Sequence, residues 1–318
     1  PDQGSGFYHC VSRVVDRNRV FGVLERDVFR KILRQVEAFS GVRVVSWSVL
    51  SNHFHLLLEV PPRREQVPGD AEILERCGAL YERESMVRIG LEFEAAGREG
   101  GAALGRWREK YLKRMWDLSE FMKTLKQRFT AWFNRRHGRS GTLWESRFRS
   151  VLLEGAWDCL LVVAAYIDLN AVRAGMVRDP KDYRWCGYGA AVAGDRAARR
   201  GLVRAMQIEK RGADWRHVAA AYRRLIVGIR GGDGDGAPAA IAKSGLTLAQ
   251  LLRCRVRYFA QGLVIGGVAF VERFFRSRRE LFGADRACGA RRMKGGAWGR
   301  LRTVRGLRGA VVPAGDDG

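Results

Sequence analysis

Apolar and polar positions alternate from Phe7 to Val15. Phe7, His9, Val11 and Arg13 fall on one side and Tyr8, Cys10 and Ser12 on the other, the period of two of a β-strand. From Glu25 to Ser40 the period lengthens. Val28, Phe29, Ile32, Leu33, Val36 and Phe39 make a helical stripe that Gly41 closes. Val42 to Val49 and His53 to Val60 then alternate again, joined by a tight turn at Leu50-Ser51-Asn52. A helix from about Leu118 to Arg136 and a strand from Arg147 to Leu153 follow. Next comes an apolar helix from about Trp157 to Ala174, with Asp158 as its N-cap and Gly175 as its stop. Strand, helix, strand, strand, helix, strand is the ferredoxin-like order. It predicts an α+β fold, an antiparallel sheet backed by helices on one face, with the other face open.

On this reading residues 1–195 are one domain, interrupted over 62–117 by an inserted helical hairpin whose middle runs from Ala71 to Ala96. Residues 196–236 form a helical connector ending in the glycine-rich run from Gly231 to Gly236. Residues 237–318 carry 16 Lys and Arg against 5 Asp and Glu, and their pattern predicts a small basic helical module for binding DNA. In it, helices over Leu246–Phe259 and Gly267–Phe275 flank a turn at Gln261–Gly266. A chain ending near Gly231 is then expected to keep any chemistry and to lose affinity.

Candidate chemistry is concentrated in few residues. His53 and His55 share one face of one strand, and two neutral imidazoles side by side make a metal-ligand pair in search of a further partner. The plainer alternative is two half-buried polar side chains, but the whole chain holds only five histidines, which weakens it. Tyr166 and Asn170 are four apart on the apolar helix and share a face, with Arg173 further along the same stripe. Taken alone, Tyr166 reads as a core tyrosine, His9 as a satisfied structural histidine and His137 as a helix-end residue.

Charge adds a partner. With 57 Lys and Arg against 34 Asp and Glu the formal charge is +23, a field that favours a polyanion. Nucleic acid is the expected partner, with an anionic membrane surface as the competitor. No apolar run reaches the eighteen or so residues of a membrane span. The six cysteines are scattered without metal-binding spacing, which fits free thiols in a reducing cytoplasm.

Several motifs occur together and in order: Asn52-His53-Phe54-His55-Leu56-Leu57-Leu58, the segment Gly141 to Ser150, Tyr166-Ile167-Asp168-Leu169-Asn170, and Val172-Arg173-Ala174-Gly175. With Asp179 to Trp185 they resemble the single-tyrosine HUH transposases, most closely the REP-associated tyrosine transposases, over most of residues 6–190. The chain departs at Ala171, where the family often has Pro, and at Leu50-Ser51, where it often has Met-Pro. Neither change removes a reacting group.

The resemblance implies an HUH nuclease palm that cuts and rejoins single-stranded or hairpin DNA. Tyr166 would be the nucleophile that becomes a 5'-phosphotyrosine. A divalent metal, Mg2+ or Mn2+, would be held by His53, His55 and Asn170. Arg13, Arg147, Arg149 and Arg173 are candidates for phosphate contacts, each with a solvated charge as the equal alternative. A monomer and a homodimer both remain open. So does a second reading, in which the same scaffold binds a nucleic-acid hairpin without cutting it.

Overall fold

The computed structural model describes residues 4–63, 67–207, 215–227, 251–252, 254–296 and 298–312. Their contacts divide the chain into two compact units. One comprises residues 1–5, 19–43 and 59–144, the other residues 6–18, 44–58 and 145–318.

The first unit is helical. Helix α1 (Val23–Ser40) buries Phe29, Ile32, Leu33, Val36 and Phe39, the stripe that the sequence predicts. It ends where Gly41 turns left-handed at φ +72° and donates to the Glu37 carbonyl. The insertion is longer than a hairpin. It folds as three helices, α2 (Asp70–Leu80), α3 (Arg83–Glu99) and α4 (Gly101–Leu112), with Gly100 at φ +108° breaking α3 from α4. Arg108 clamps α4 to α2 through two bonds to Asp70, at 2.6 and 2.8 Å. Helix α5 (Leu118–Arg136) is capped by the Asp117 carboxylate, which accepts from Glu120 N at 2.8 Å. Phe129 of α5 packs with Phe21, Phe29 and Trp144, ring centroids 5.0 to 6.0 Å away, as an aromatic core.

The second unit is built on a sheet. Its strands β1 (Gly6–Arg13), β2 (Arg43–Val49), β3 (His53–Val60) and β4 (Arg149–Leu153) stand in the order β2-β3-β1-β4, the ferredoxin-like arrangement. β1 and β4 are antiparallel, with His9 opposite Val151 and Val11 opposite Arg149. The α+β class stands, but the sheet is larger and mixed.

β5 (Arg255–Val256) pairs outside this sheet. β6 (Val264–Gly266) runs parallel to β4, with Leu152 opposite Val264 and Leu153 opposite Ile265, and β7 (Arg291–Arg292) and β8 (Arg302–Thr303) complete the order β4-β6-β8-β7. β4 would otherwise present a row of unpaired amides. Instead Leu152 N and Glu154 N donate to the carbonyls of Leu263 and Ile265, each at 2.9 Å. Strands of two or three residues are too short for alternation to betray them, so the sequence reads Gln261–Gly266 as a turn between helices.

Among the described residues this unit holds the helices α6 (Trp157–Asp168), α7 (Asn170–Arg173), α8 (Gly187–Val192), α9 (Arg196–Ala205), α10 (Trp215–Val227), α11 (Tyr258–Gln261) and α12 (Val268–Ser277). α9 lies so close over β2 that a Cβ on Gly201 would meet the Val45 carbonyl oxygen at 2.3 Å. The predicted long helix from Trp157 is broken at Leu169, where ψ is 0°. Nor does Asp158 cap it. The N-cap is Ala156, and the Asp158 carboxylate accepts from Arg300 Nε and Nη2 at 2.7 and 2.6 Å. The linker predicted at Gly231–Gly236 and much of the helix predicted from Leu246 lie outside the described residues.

Strands β6, β8 and β7 therefore share a sheet with the histidine strands. Val264, Val271, Phe275 and Val304 close an apolar cluster under the extension, packed with Leu152 of β4. This reverses the expectation for a shortened chain. Ending the chain at Gly231 strips β4 of its hydrogen-bonded neighbour, and we expect its thermal transition to fall by well over 10 °C or to vanish; an unchanged melting curve would count against this packing.

Candidate functional site

Alternation on β1 and β3 brings three imidazoles to one face of the sheet. His9 Nε2 lies 2.9 Å from His55 Nδ1 with the two rings stacked, and the rings of His53 and His55 are 5.1 Å apart at 68°. The face predicted to be open is covered. Tyr166 of α6 stands with its ring centroid 6.3 Å from both His9 and His55, and Phe259 of α11 packs on Tyr166 at 4.7 Å. His9 is fully buried, and His55, Tyr166 and Asn170 are 94 to 95 % buried, while His53 is half-buried at the edge.

The break at Leu169 leaves Tyr166 and Asn170 adjacent but on two helical segments, and Arg173 ties them together. Its guanidinium lies 3.8 Å from the centre of the Tyr166 ring. Its nitrogens donate to the carbonyls of Tyr166 at 2.7 Å and Leu252 at 2.6 Å, and to Asn170 Oδ1. Among the described residues the buried Asn170 Nδ2 has no partner. Burial pulls Arg173 below the ordinary arginine value, and Tyr166 works in the opposite direction.

On the far side of the helix, buried Asp168 accepts from Tyr222 Oη at 2.5 Å and Tyr188 N at 2.9 Å. Burial raises its carboxyl to about 6 against the help of those bonds. Asp168 thus anchors α6, and Tyr166 faces away from it towards the histidines.

All three histidines are held neutral. Burial lowers His9 to about 4 and His53 to about 3, with Arg13, Arg173 and Arg255 adding to the effect on His53; His55 lies well below its usual value for the same first reason. The folded chain therefore declines protons that the unfolded chain accepts near pH 6.5. Stability should fall as pH drops from 6.5 towards 4, on the order of 3 kcal/mol for His9 alone. Asp168 works in the opposite sense between about 6 and 3.8, but it is one group against three. Urea unfolding in EDTA is expected to show a lower midpoint at pH 5 than at pH 7, and a flat or rising midpoint would show that the trio is not neutral.

The predicted arginines separate. Arg173 is in the site. Arg13 is half-buried, its value lowered first by burial and then by Arg17, Arg255 and Arg149, with Glu145 opposing. Arg149 is exposed at the start of β4, whereas Arg147 precedes the strand and is exposed, with nothing that brings it to the histidines. Arg255 on β5, paired there with β9 (Val311–Val312), is a cation near His53 that local sequence reasoning missed; only the basic composition of the C-terminal segment hinted at it. Phe259 was missed as well, for want of any local signal.

A divalent metal fits the donor set at His53 and His55. Each ring uses Nδ1 internally, His53 towards Asn52 Oδ1 at 2.7 Å and His55 towards His9, which leaves Nε2 for an ion. Among the described residues no group of three His, Cys, Asp or Glu is arranged to hold a metal, because His9 Nε2 is taken up by His55. A third protein ligand would have to be an amide, and Asn170 Oδ1 keeps a second lone pair beside its bond to Arg173.

The arrangement defines a class: an α+β protein with a histidine pair and a buried tyrosine on one face of a sheet ordered β2-β3-β1-β4. Residues 4–67, which hold His9, His53 and His55 and end before Tyr166, match the family described as "Transposase IS200 like". Among solved structures it is similar to a REP-associated tyrosine transposase bound to a REP hairpin, at 16% identity and a TM-score of 0.34, over 60% of this chain and 81% of that one. No curated protein matches it.

Proposed function

We propose that this protein cuts and rejoins single-stranded DNA through a covalent link to Tyr166, acting beside a hairpin in the manner of the REP-associated branch. The observation that carries the reading is the packing of Tyr166 against His55 and His9, beside a histidine pair whose Nδ1 atoms are engaged and whose Nε2 atoms have no partner among the described residues. The Tyr166 oxygen gives up its proton and attacks the scissile phosphorus, a P–O bond to tyrosine forms, and the P–O3' bond breaks, the leaving 3'-oxygen taking up a proton to become a 3'-hydroxyl. A 5'-phosphotyrosine results. Attack by another 3'-hydroxyl reverses the step and frees Tyr166, so no nucleotide cofactor is consumed.

His53 and His55, with Asn170 Oδ1, would hold Mg2+ or Mn2+. A bound cation of this kind draws charge from a non-bridging phosphate oxygen. Arg173 holds the tyrosine ring and the Asn170 amide in place, and the buried Asn170 Nδ2 has a hydrogen bond to offer a phosphate oxygen. Arg13, Arg149 and Arg255 concentrate positive charge around the His53 edge, where a DNA backbone would arrive. A site so covered suits an unpaired strand better than a duplex.

Among the described residues no helix is long and apolar enough to cross a membrane, and all six cysteines are free. Both fit work on DNA in the cytoplasm. Incubation with Mn2+ and an end-labelled hairpin carrying a single-stranded flank should give a nick and a protein-linked fragment, and the same sequence as perfect duplex should give neither. Tight hairpin binding without any product would favour the non-cutting reading instead.

A further inference from the structure

The proposed function needs two imidazoles that each offer the same nitrogen at the same moment, and a neutral histidine has two tautomers. In water the proton prefers Nε2, which is the wrong place for a pair meant to bind through Nε2. The structure contains two separate devices that move it.

The first begins at a backbone carbonyl. The Phe259 oxygen can only accept, and it lies 2.6 Å from His9 Nδ1, so that nitrogen carries the proton. His9 Nε2 then holds a lone pair and can only accept in turn. It lies 2.9 Å from His55 Nδ1, so His55 carries its proton there and keeps the lone pair on Nε2. The second device is Asn52. Its Nδ2 donates to the Arg17 carbonyl at 3.0 Å, which turns Oδ1 towards His53 Nδ1 at 2.7 Å and places the proton of His53 on Nδ1 as well. Two unrelated chains of hydrogen bonds end with the same nitrogen free.

We propose that His9 is a positioning residue that transmits the Phe259 carbonyl to His55 and so fixes His55 as an Nε2 donor. The segment around Phe259 therefore reaches the site twice, through its ring on Tyr166 and through its carbonyl, two imidazoles away from the cation. Both ring nitrogens of His9 are engaged, and the polarities run in one direction, from the acceptor carbonyl of Phe259 to His55.

The inference rests on the proposed metal role of His55, so the test separates the two. In the unaltered metal-free protein with 15N-labelled histidine, long-range 1H–15N NMR should report His55 and His9 as Nδ1–H tautomers at pH 7.5. Next, Mn2+ alone is titrated calorimetrically into the unaltered protein, His9→Gln and His9→Phe. Gln can both donate to the carbonyl and accept from His55, so His9→Gln should bind within about threefold of the unaltered protein, whereas His9→Phe should bind about 10- to 100-fold more weakly.

His55 found as the Nε2–H tautomer overturns the proposal, and so does a folded His9→Phe variant with undiminished Mn2+ affinity. The tautomer measurement needs no variant, so a His9→Phe chain that fails to fold leaves the question decided. Absence of any Mn2+ binding by the unaltered protein would instead overturn the metal reading, while the spectra still establish or refute the relay.

Discussion

Tyr166→Phe should bind a labelled hairpin as the unaltered protein does, yet form no covalent adduct and no nick, a loss on the order of 10⁴-fold or more. The substitution removes one oxygen. Its ring keeps the contact with Phe259 at 4.7 Å and the guanidinium of Arg173 at 3.8 Å, so stability should change by no more than about 1 kcal/mol.

Several of the eight tyrosines can be set aside as rivals on geometry. Tyr183 donates its hydroxyl to the Val49 carbonyl at 2.5 Å, Tyr222 donates to Asp168 at 2.5 Å, and Tyr258 accepts from Lys294 N at 3.1 Å. Tyr81 is bonded to Arg114 in the other unit. Tyr166 is the tyrosine packed against His9 and His55. An adduct that persists in Tyr166→Phe on a denaturing gel, or a peptide map that puts it elsewhere, would falsify the assignment.

How much of this was legible in the sequence follows from the range of each interaction. A period of two announces β1 and β3 and puts His53 and His55 on one face, and a stripe at helical spacing announces α1, because these signals repeat within a few residues. The spacing of Tyr166 and Asn170 puts them on one helix face, but only the resemblance singles them out, and the break at Leu169 leaves them on two helical segments. What stayed hidden depends on pairing over long separations. Nothing in Val264-Ile265-Gly266 declares a strand until β4 lies beside it, and nothing in Phe259 declares that its carbonyl ends on a histidine 250 residues earlier.

Charge misled in a related way. The basic C-terminal segment read as a separate module because its arginines are abundant, yet many of them are structural. Arg286 donates to the carbonyls of Gly289 and Val304, and Arg300 to Asp158 and Glu154. Asp158 looked like a helix cap for the same reason: its partner Arg300 is 142 residues away.

The histidine pair should be as indispensable as the tyrosine, with a different signature. His53→Ala with His55→Ala leaves Tyr166, Arg173 and the arginines near the His53 edge in place, so hairpin affinity measured in EDTA should stay within about threefold. Nicking in Mn2+ should drop by roughly 10³-fold, the scale expected when a cation that takes several kcal/mol of transition-state charge is lost. EDTA should do the same to the unaltered protein, and added Mn2+ should restore only the latter.

The two positions need not respond alike. His53 is half-buried and held by Asn52, while His55 is buried against His9, so His55→Ala also opens a gap beside a buried imidazole and should lower stability more. Comparing the single variants at equal folded fraction separates the loss of the cation from the loss of packing. Cleavage that survives undiminished in EDTA or in the double variant would remove the metal from the mechanism and leave Tyr166 to act with Arg173 and Asn170 alone.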